Sequence, residues 1–217
     1  MAIIVSSVIG KLKGRSGEFT FRNEQGKNIM SLFPKTINVS KTPQALRARS
    51  NFAVTIKLAK SINSSPALKE IWTIAKIEGY NSFQKIIRNN VKLAKNGSAT
   101  ASNKITPEGL PLGFVSALVR DGILKVNFVM PSVENIQYPA RVFVFLYFDK
   151  YDKSVFKINS ELAEPSPEGS YALDINLTDS IKNALTVDAN PITYIAVAGS
   201  KPYKKKIYWT GTAAKEM

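Results

Sequence analysis

The 217-residue chain carries 30 Lys and Arg against 16 Asp and Glu, a net charge of +14, with 44% apolar and 10% aromatic residues. That composition builds a core in one large domain or two small ones and excludes a disordered chain. Cysteine and histidine are both absent, which removes disulfides, thiolate nucleophiles, imidazole bases and the commonest zinc ligands together.

The charge is unevenly placed. Residues 1–105 hold 18 Lys and Arg against four Glu, while the rest of the chain holds 12 cations and 12 anions. All of the excess therefore lies in the first half, which points to two functional halves with different partners. A basic surface that only aids solubility is the plainer alternative. No apolar run approaches the roughly 18 residues of a membrane helix. Met1 to Ile9 (MAIIVSSVI) is short and lacks a preceding positive region, so it reads as a first strand rather than a signal peptide, and cytoplasmic synthesis without export is expected.

Gly10, Gly14 and Gly17 suggest tight turns at the entrance to the chain. Glu18 to Arg22 (EFTFR) then alternates polar and aromatic residues as a half-buried strand does, Asn23 to Gly26 is turn material, and Asn28 to Phe33 returns as the partner strand. Two phosphate-loop patterns fail on this stretch. Gly10 and Gly14 enclose three residues instead of four, followed by Arg-Ser instead of Lys-Ser. Gly14-Arg15-Ser16-Gly17 matches the GXXG loop of an RNA-binding module, but that loop joins helices and these flanks read as extended.

Three helices follow. Thr42 caps the first with Pro43 at its first position, and it runs to about Ile62, with Ala45, Phe52, Ile56 and Ala59 near one face and Arg47, Arg49, Lys57 and Lys60 on the others. Its charges form either a docking surface or the solvated side of an ordinary amphipathic helix. Ser65-Pro66 starts the second, with the stripe Leu68, Ile71, Trp72 and Ala75; the third begins near Asn81, with Phe83, Ile86, Ile87 and Val91 on one side and Lys85, Arg88 and Lys92 on another. Trp72 and Phe83 read as core rather than base-stacking platforms, because both lie within apolar stripes.

Asn96 to Gly109 is rich in small and polar residues and reads as a linker, placed at 99–112 between a first domain, 1–98, and a second, 113–217. Beyond it come strand patterns at Phe114 to Val119, Ile123 to Met130, Arg141 to Phe148, Ser154 to Ile158, Tyr171 to Leu177, Ile192 to Ala198 and Lys206 to Thr210, with a short helical excursion at Asp179 to Leu185. The expected fold is thus α+β: an N-terminal β-hairpin with a small helical unit, and a C-terminal immunoglobulin-like antiparallel β-sandwich. Asp149, Asp152, Glu161, Glu164 and Glu168 read as solvated loop acids, since the alternating calcium-loop pattern is missing. Lys204-Lys205-Lys206 reads as a strand-edge guard.

GKLKGRSGEFTFR, GKNIM, NVSKTPQALRARSNFA, GYNSFQKIIRNN and the terminal ITYIAVAGSKPYKKKIYWTG resemble a family of bacterial and phage-associated proteins carried as a domain of unknown function. The resemblance covers nearly the whole chain. Its most specific piece is Lys41-Thr42-Pro43-Gln44 with Arg49 and Phe52, although the family's Thr-x-x-Gln spacing is one residue shorter here and Pro follows Thr instead of preceding it. It implies a Gly-rich basic head, helices with a Tyr-Asn-x-Phe element, an immunoglobulin-like tail and a place among virion components.

The function expected from all this is a non-enzymatic structural or docking component of a virion-like multi-subunit assembly, found in a virion or similar particle and oligomeric there. Its basic half would bind an acidic protein partner or packaged nucleic acid through Lys11, Lys13, Arg15, Arg22, Lys27, Arg47 and Arg49. The alternative is a stand-alone, sequence-nonspecific nucleic-acid-binding protein using the same residues on phosphates. No catalytic residue, cofactor, metal or membrane span is expected.

Overall fold

The structure, a computed structural model, describes residues 2–4, 13–24, 27–33, 39–130, 138–164, 166, 168–200 and 207–217. It is α+β, with helices and antiparallel sheets. The chain divides into two compact units, Met1–Lys41 and Thr42–Met217.

The first unit is a four-stranded antiparallel sheet of β1 (Ala2–Ile4), β2 (Gly14–Ser16), β3 (Phe19–Glu24) and β4 (Lys27–Leu32), in the order β1-β4-β3-β2. The expected hairpin is its centre, with Phe19 opposite Leu32 and Glu24 opposite Lys27. Gln25 and Gly26 of the expected turn lie outside the described residues. Gly17 turns β2 into β3 with φ +56, a left-handed conformation that glycine takes without a Cβ penalty. Gly14 to Gly17 is therefore a strand entering a hairpin, not a loop between helices.

The second unit opens with α1 (Pro43–Asn63), α2 (Pro66–Ile74) and α3 (Ser82–Asn90). Thr42 Oγ1 accepts from Ala45 N at 3.3 Å and Asn81 Oδ1 from Gln84 N at 2.9 Å, so α1 and α3 start where a side-chain oxygen takes an orphan N–H, while α2 starts at Pro66 without such a cap. Leu68, Ile71 and Trp72 are fully buried, as the spacing on α2 requires.

Next come β5 (Gly113–Arg120), β6 (Ile123–Val129), β7 (Ala140–Phe148), β8 (Ser154–Leu162), β9 (Ser170–Asn176), α4 (Asp179–Val187), β10 (Ile192–Ser200), β11 (Ile207–Trp209) and β12 (Ala213–Glu216). One sheet has the order β5-β6-β9; the other runs β11-β10-β7-β8, with β12 also on β10. β11 and β12 share one edge of β10, and the break between them is bridged where Val197 N donates to Thr210 Oγ1 at 2.9 Å.

Two cores lie on opposite sides of the larger sheet. Leu124, Val126 and Phe128 of β6 meet Val142, Val144, Leu146 and Phe148 of β7 and Ile195 and Val197 of β10 in the first. Phe143, Phe145 and Tyr147 of β7 and Tyr194 of β10 meet Leu58, Ile62, Leu68, Ile71, Trp72 and Ile86 of the helices in the second. The unit is a three-layer stack of helices, larger sheet and smaller sheet. Because β7 sends alternate residues into two cores, its sequence RVFVFLYF is a continuous apolar run instead of an alternation. Each such side chain contributes about 1.5–3 kcal/mol by leaving water.

This packing moves the expected domain boundary. The helices share a core with the sheet, so the division falls after Lys41 and not at 98–113. Nor is 99–112 a free linker: Ala99, Asn103, Ile105 and Thr106 are buried. Asn51 Oδ1 accepts from Gly97 N at 2.7 Å, Trp72 Nε1 donates to Ile105 O at 2.9 Å, and Thr212 Oγ1 accepts from Ile105 N at 2.8 Å and Thr106 N at 2.9 Å. The buried backbone of this stretch is thus satisfied by side chains from outside it, Asn51, Trp72 and Thr212, which fix it to the rest of the unit.

Candidate interaction surface

The cations expected to bind a partner fall into separate groups. In the first unit the register sets Arg15 opposite Thr20, Arg22 opposite Ile29 and Lys27 opposite Glu24. Strand alternation then places Arg15, Arg22 and Lys27 on one face and Phe19, Phe21, Met30 and Leu32 on the other. The Arg15 guanidinium lies 3.9 Å over the Phe33 ring and its Nε donates to Gly17 O at 3.2 Å. Arg22 pairs with Glu24 at 3.5 Å, both side chains being more than half exposed, so the pair is weak. Lys13 is exposed just before β2, and Lys11 lies outside the described residues.

Arg47 and Arg49 belong to the second unit, on the first turns of α1, and both are exposed. Two residues along a helix is about 200° of rotation, so they point to different sides and make no common anion clamp. No residue from Pro43 to Ala53 is buried, and Leu46 in this stretch is 51% exposed. Phe52, expected on the apolar face with Ala45, Ile56 and Ala59, is 46% exposed because the buried part of the helix begins two residues later and on another side, at Val54 and Thr55.

Phe52 instead lines an open groove of about 640 Å³ with Glu78, Gly79 and Tyr80 of the α2–α3 loop and Gln84, Ile87 and Arg88 of α3. The loop is fixed at several points. Lys85 Nζ donates to Thr73 O and Ala75 O, each at 2.7 Å, and so satisfies carbonyls at the C-terminal end of α2. Gln84 Oε1 accepts from Tyr80 N at 3.1 Å. Gly79 has φ +150, and a Cβ there would stand 3.0 Å from Lys85 Cγ. From this fixed backbone Tyr80 projects its ring at 97% exposure. Arg88 Nη1 meets Glu78 Oε2 at 2.8 Å, which holds the Glu78 carboxyl below the usual carboxylate range and raises the Arg88 guanidinium, in both cases first through the hydrogen bond and then through the opposite charge.

Sequence reasoning placed Lys85, Arg88 and Lys92 together on one basic side of α3. Lys85 is engaged by α2 carbonyls and Arg88 by Glu78, so the side is less open than its charge suggests. The groove was missed. Its one local signal is Tyr80, an aromatic residue outside every apolar stripe, set between Gly79 and the helix cap Asn81.

Elsewhere the acids are engaged singly. Asp152 meets Lys57 at 3.3 Å, Asp149 Oδ1 accepts from the Tyr147 hydroxyl at 2.9 Å, and Asp188 Oδ2 accepts from Lys150 N at 3.0 Å. Glu161, Glu164 and Glu168 are exposed. Among the described residues, no three Asp or Glu form a group that could hold a metal ion, and no helix is long and apolar enough to cross a membrane. Lys204, Lys205 and Lys206 lie outside the described residues. Burial pushes the Tyr147 and Tyr194 hydroxyls well above their ordinary pKa. No protein-family model and no curated protein matches the chain.

Proposed function

We propose that the protein is a non-enzymatic docking component of a multi-subunit assembly, of the virion-like kind that its resemblance to phage-associated proteins implies. The observation that carries this reading is the separation of charge. Residues 42–98 hold ten Lys and Arg against two Glu, and residues 106–217 are balanced. The basic part presents exposed apolar side chains, Leu46, Phe52 and Tyr80, beside its cations, a mixture suited to a protein surface. The balanced part is read as an immunoglobulin-like sandwich. In support, β5, β6 and β9 fall on one sheet as strands A, B and E do in that fold, and β7, β10 and the β11–β12 edge fall on the other as C, F and G do. The helical layer over the second sheet is an addition to that plan. Sedimentation of the purified chain over a range of concentrations tests the reading. A monomer throughout, with no large particle co-purifying from its native source, overturns it.

The second reading, nucleic-acid binding by the chain alone, is favoured by the shared sheet face of Arg15, Arg22 and Lys27. It requires a gel shift that weakens steeply with salt and shows little sequence preference. No shift at low salt excludes it.

A further inference from the structure

The groove of Phe52, Tyr80, Ile87 and Arg88 goes further than the charge split, because it pairs an apolar surface with a specific electrostatic setting. We infer that this groove seats an acidic peptide segment of a partner protein, one that brings a bulky apolar side chain flanked by carboxylates. The inference rests on the docking reading and names the partner's chemistry.

Three features lead to this occupant. First, Tyr80 is held in the open by a backbone with little freedom: Gln84 receives its N–H, Asn81 caps the helix that follows, and Gly79 takes a conformation that other residues rarely adopt. An exposed tyrosine on a fixed backbone has only two side-chain torsions to lose on binding, which is what interface anchors supply. Second, Phe52 and Ile87 continue the apolar surface from Tyr80 across to α1, giving a counterpart side chain somewhere to bury. Third, the surroundings are cationic. Lys76 lies two residues before Glu78 and Lys92 four residues after Arg88, and both are exposed. The complement of an apolar groove with a basic rim is an apolar side chain with an acidic surround.

The same features weigh against a polyphosphate strand. Glu78 stands in the groove wall with its side chain 86% exposed, so a continuous row of phosphates would have to pass a carboxylate. A peptide can space its acids around that position and leave Glu78 to Arg88. Phe52 and Ile87 also offer nothing to a phosphate backbone, although a base could stack on Tyr80.

The test is selection of a random peptide library, displayed on phage, against the purified full chain, followed by titration of the recovered peptides. Recovered sequences are expected to carry Phe, Tyr, Trp, Leu or Ile flanked by Asp or Glu. Their affinity is expected to fall at least about tenfold in Tyr80→Ala, to be retained in Tyr80→Phe, and to weaken in Lys92→Gln and with added salt. Tyr80→Ala is expected to melt where the parent chain does, since the ring is exposed. Any of these results overturns the inference: no recovered sequence, sequences without acids, affinity indifferent to Tyr80→Ala, or a single-stranded oligonucleotide that binds more tightly and depends on Tyr80. If the chain assembles but Tyr80→Ala changes nothing, the groove assignment fails and the docking reading stands. If groove-dependent peptides are recovered from a chain that remains monomeric and free of particles, the assembly reading fails instead.

Discussion

The Asn90 carboxamide holds the backbone of Lys104 at both of its polar groups, donating from Nδ2 to Lys104 O at 3.0 Å and accepting at Oδ1 from Lys104 N at 2.7 Å. The side chain thus does for Lys104 what a neighbouring strand would do. Asn90 also donates to Ile86 O at 3.0 Å and accepts from Asn103 Nδ2 at 3.0 Å, so each of its hydrogen-bonding positions is filled at zero exposure.

Replacing it removes partners from several buried groups at once. Asn90→Ala is expected to cost about 2–4 kcal/mol, since each stranded buried donor or acceptor costs about 1–3 kcal/mol. Urea denaturation of the two proteins measures the difference. A loss below about 1 kcal/mol would show that water enters and replaces the amide.

Thr193 is the opposite case. Its hydroxyl is buried and, among the described residues, is the one buried side-chain polar atom without a hydrogen-bond partner. It stands opposite Leu146 and on the same face of β10 as Ile195 and Val197, which lie in the core between the two sheets. Thr193→Val keeps the shape and removes the unpaired hydroxyl, so it is expected to stabilise the protein by about 1 kcal/mol. A higher denaturation midpoint with an unchanged slope is the expected result.

Stability is expected to fall in alkali. Tyr147 and Tyr194 are both held above the ordinary value of 10.0, chiefly by burial. Above pH 10 the unfolded chain loses these protons while the folded chain keeps them, so stability is whole below that pH and declines as pH rises beyond it. Denaturation midpoints between pH 8 and pH 12 follow this. The double variant Tyr147→Phe, Tyr194→Phe should start lower, having lost the hydrogen bond from the Tyr194 hydroxyl to Thr100 O at 2.7 Å, and should decline less steeply.

The domain boundary makes a fourth prediction. Residues 42–217 produced alone are expected to unfold in one cooperative transition, because both cores lie within them. Residues 113–217 alone would uncover Phe143, Phe145, Tyr147 and Tyr194 and are expected to aggregate. A soluble, cooperatively folding 113–217 fragment would restore the boundary expected from composition.

That boundary also marks where sequence reading ran out. Helix starts were legible because Thr42, Asn81 and the prolines at 43 and 66 act locally, through caps and fixed dihedrals. Strands were legible from alternation and β-branched runs, apart from β2, whose Gly-Arg-Ser reads as turn material, and β12, whose Ala-Ala-Lys-Glu has little strand character and is placed by pairing with β10. The helical cover on the larger sheet depends on long-range packing. Its trace in the sequence was the missing alternation of RVFVFLYF, which marks a strand buried on both faces. Arg15, Arg22 and Lys27 were picked out by charge alone, and the register sets them on one face of the sheet. Tyr80 was not, because one aromatic residue in a loop has no periodicity to announce its exposure.

The double burial of β7 also bears on how the chain comes together during synthesis. The helices that cover one of its faces precede it in the sequence, so they have left the ribosome before Phe143, Phe145 and Tyr147 emerge. Its partner β10 begins only at Ile192, more than forty residues later by the numbering. For that interval the most apolar strand of the protein has a prepared helical bed on one side and, once β8 has paired with one of its edges, still one open edge, the one that β10 will fill. The early helices can therefore serve as a built-in chaperone, and slowing their formation, with Pro at Leu58 for instance, would leave a nascent chain prone to aggregate before it could fold.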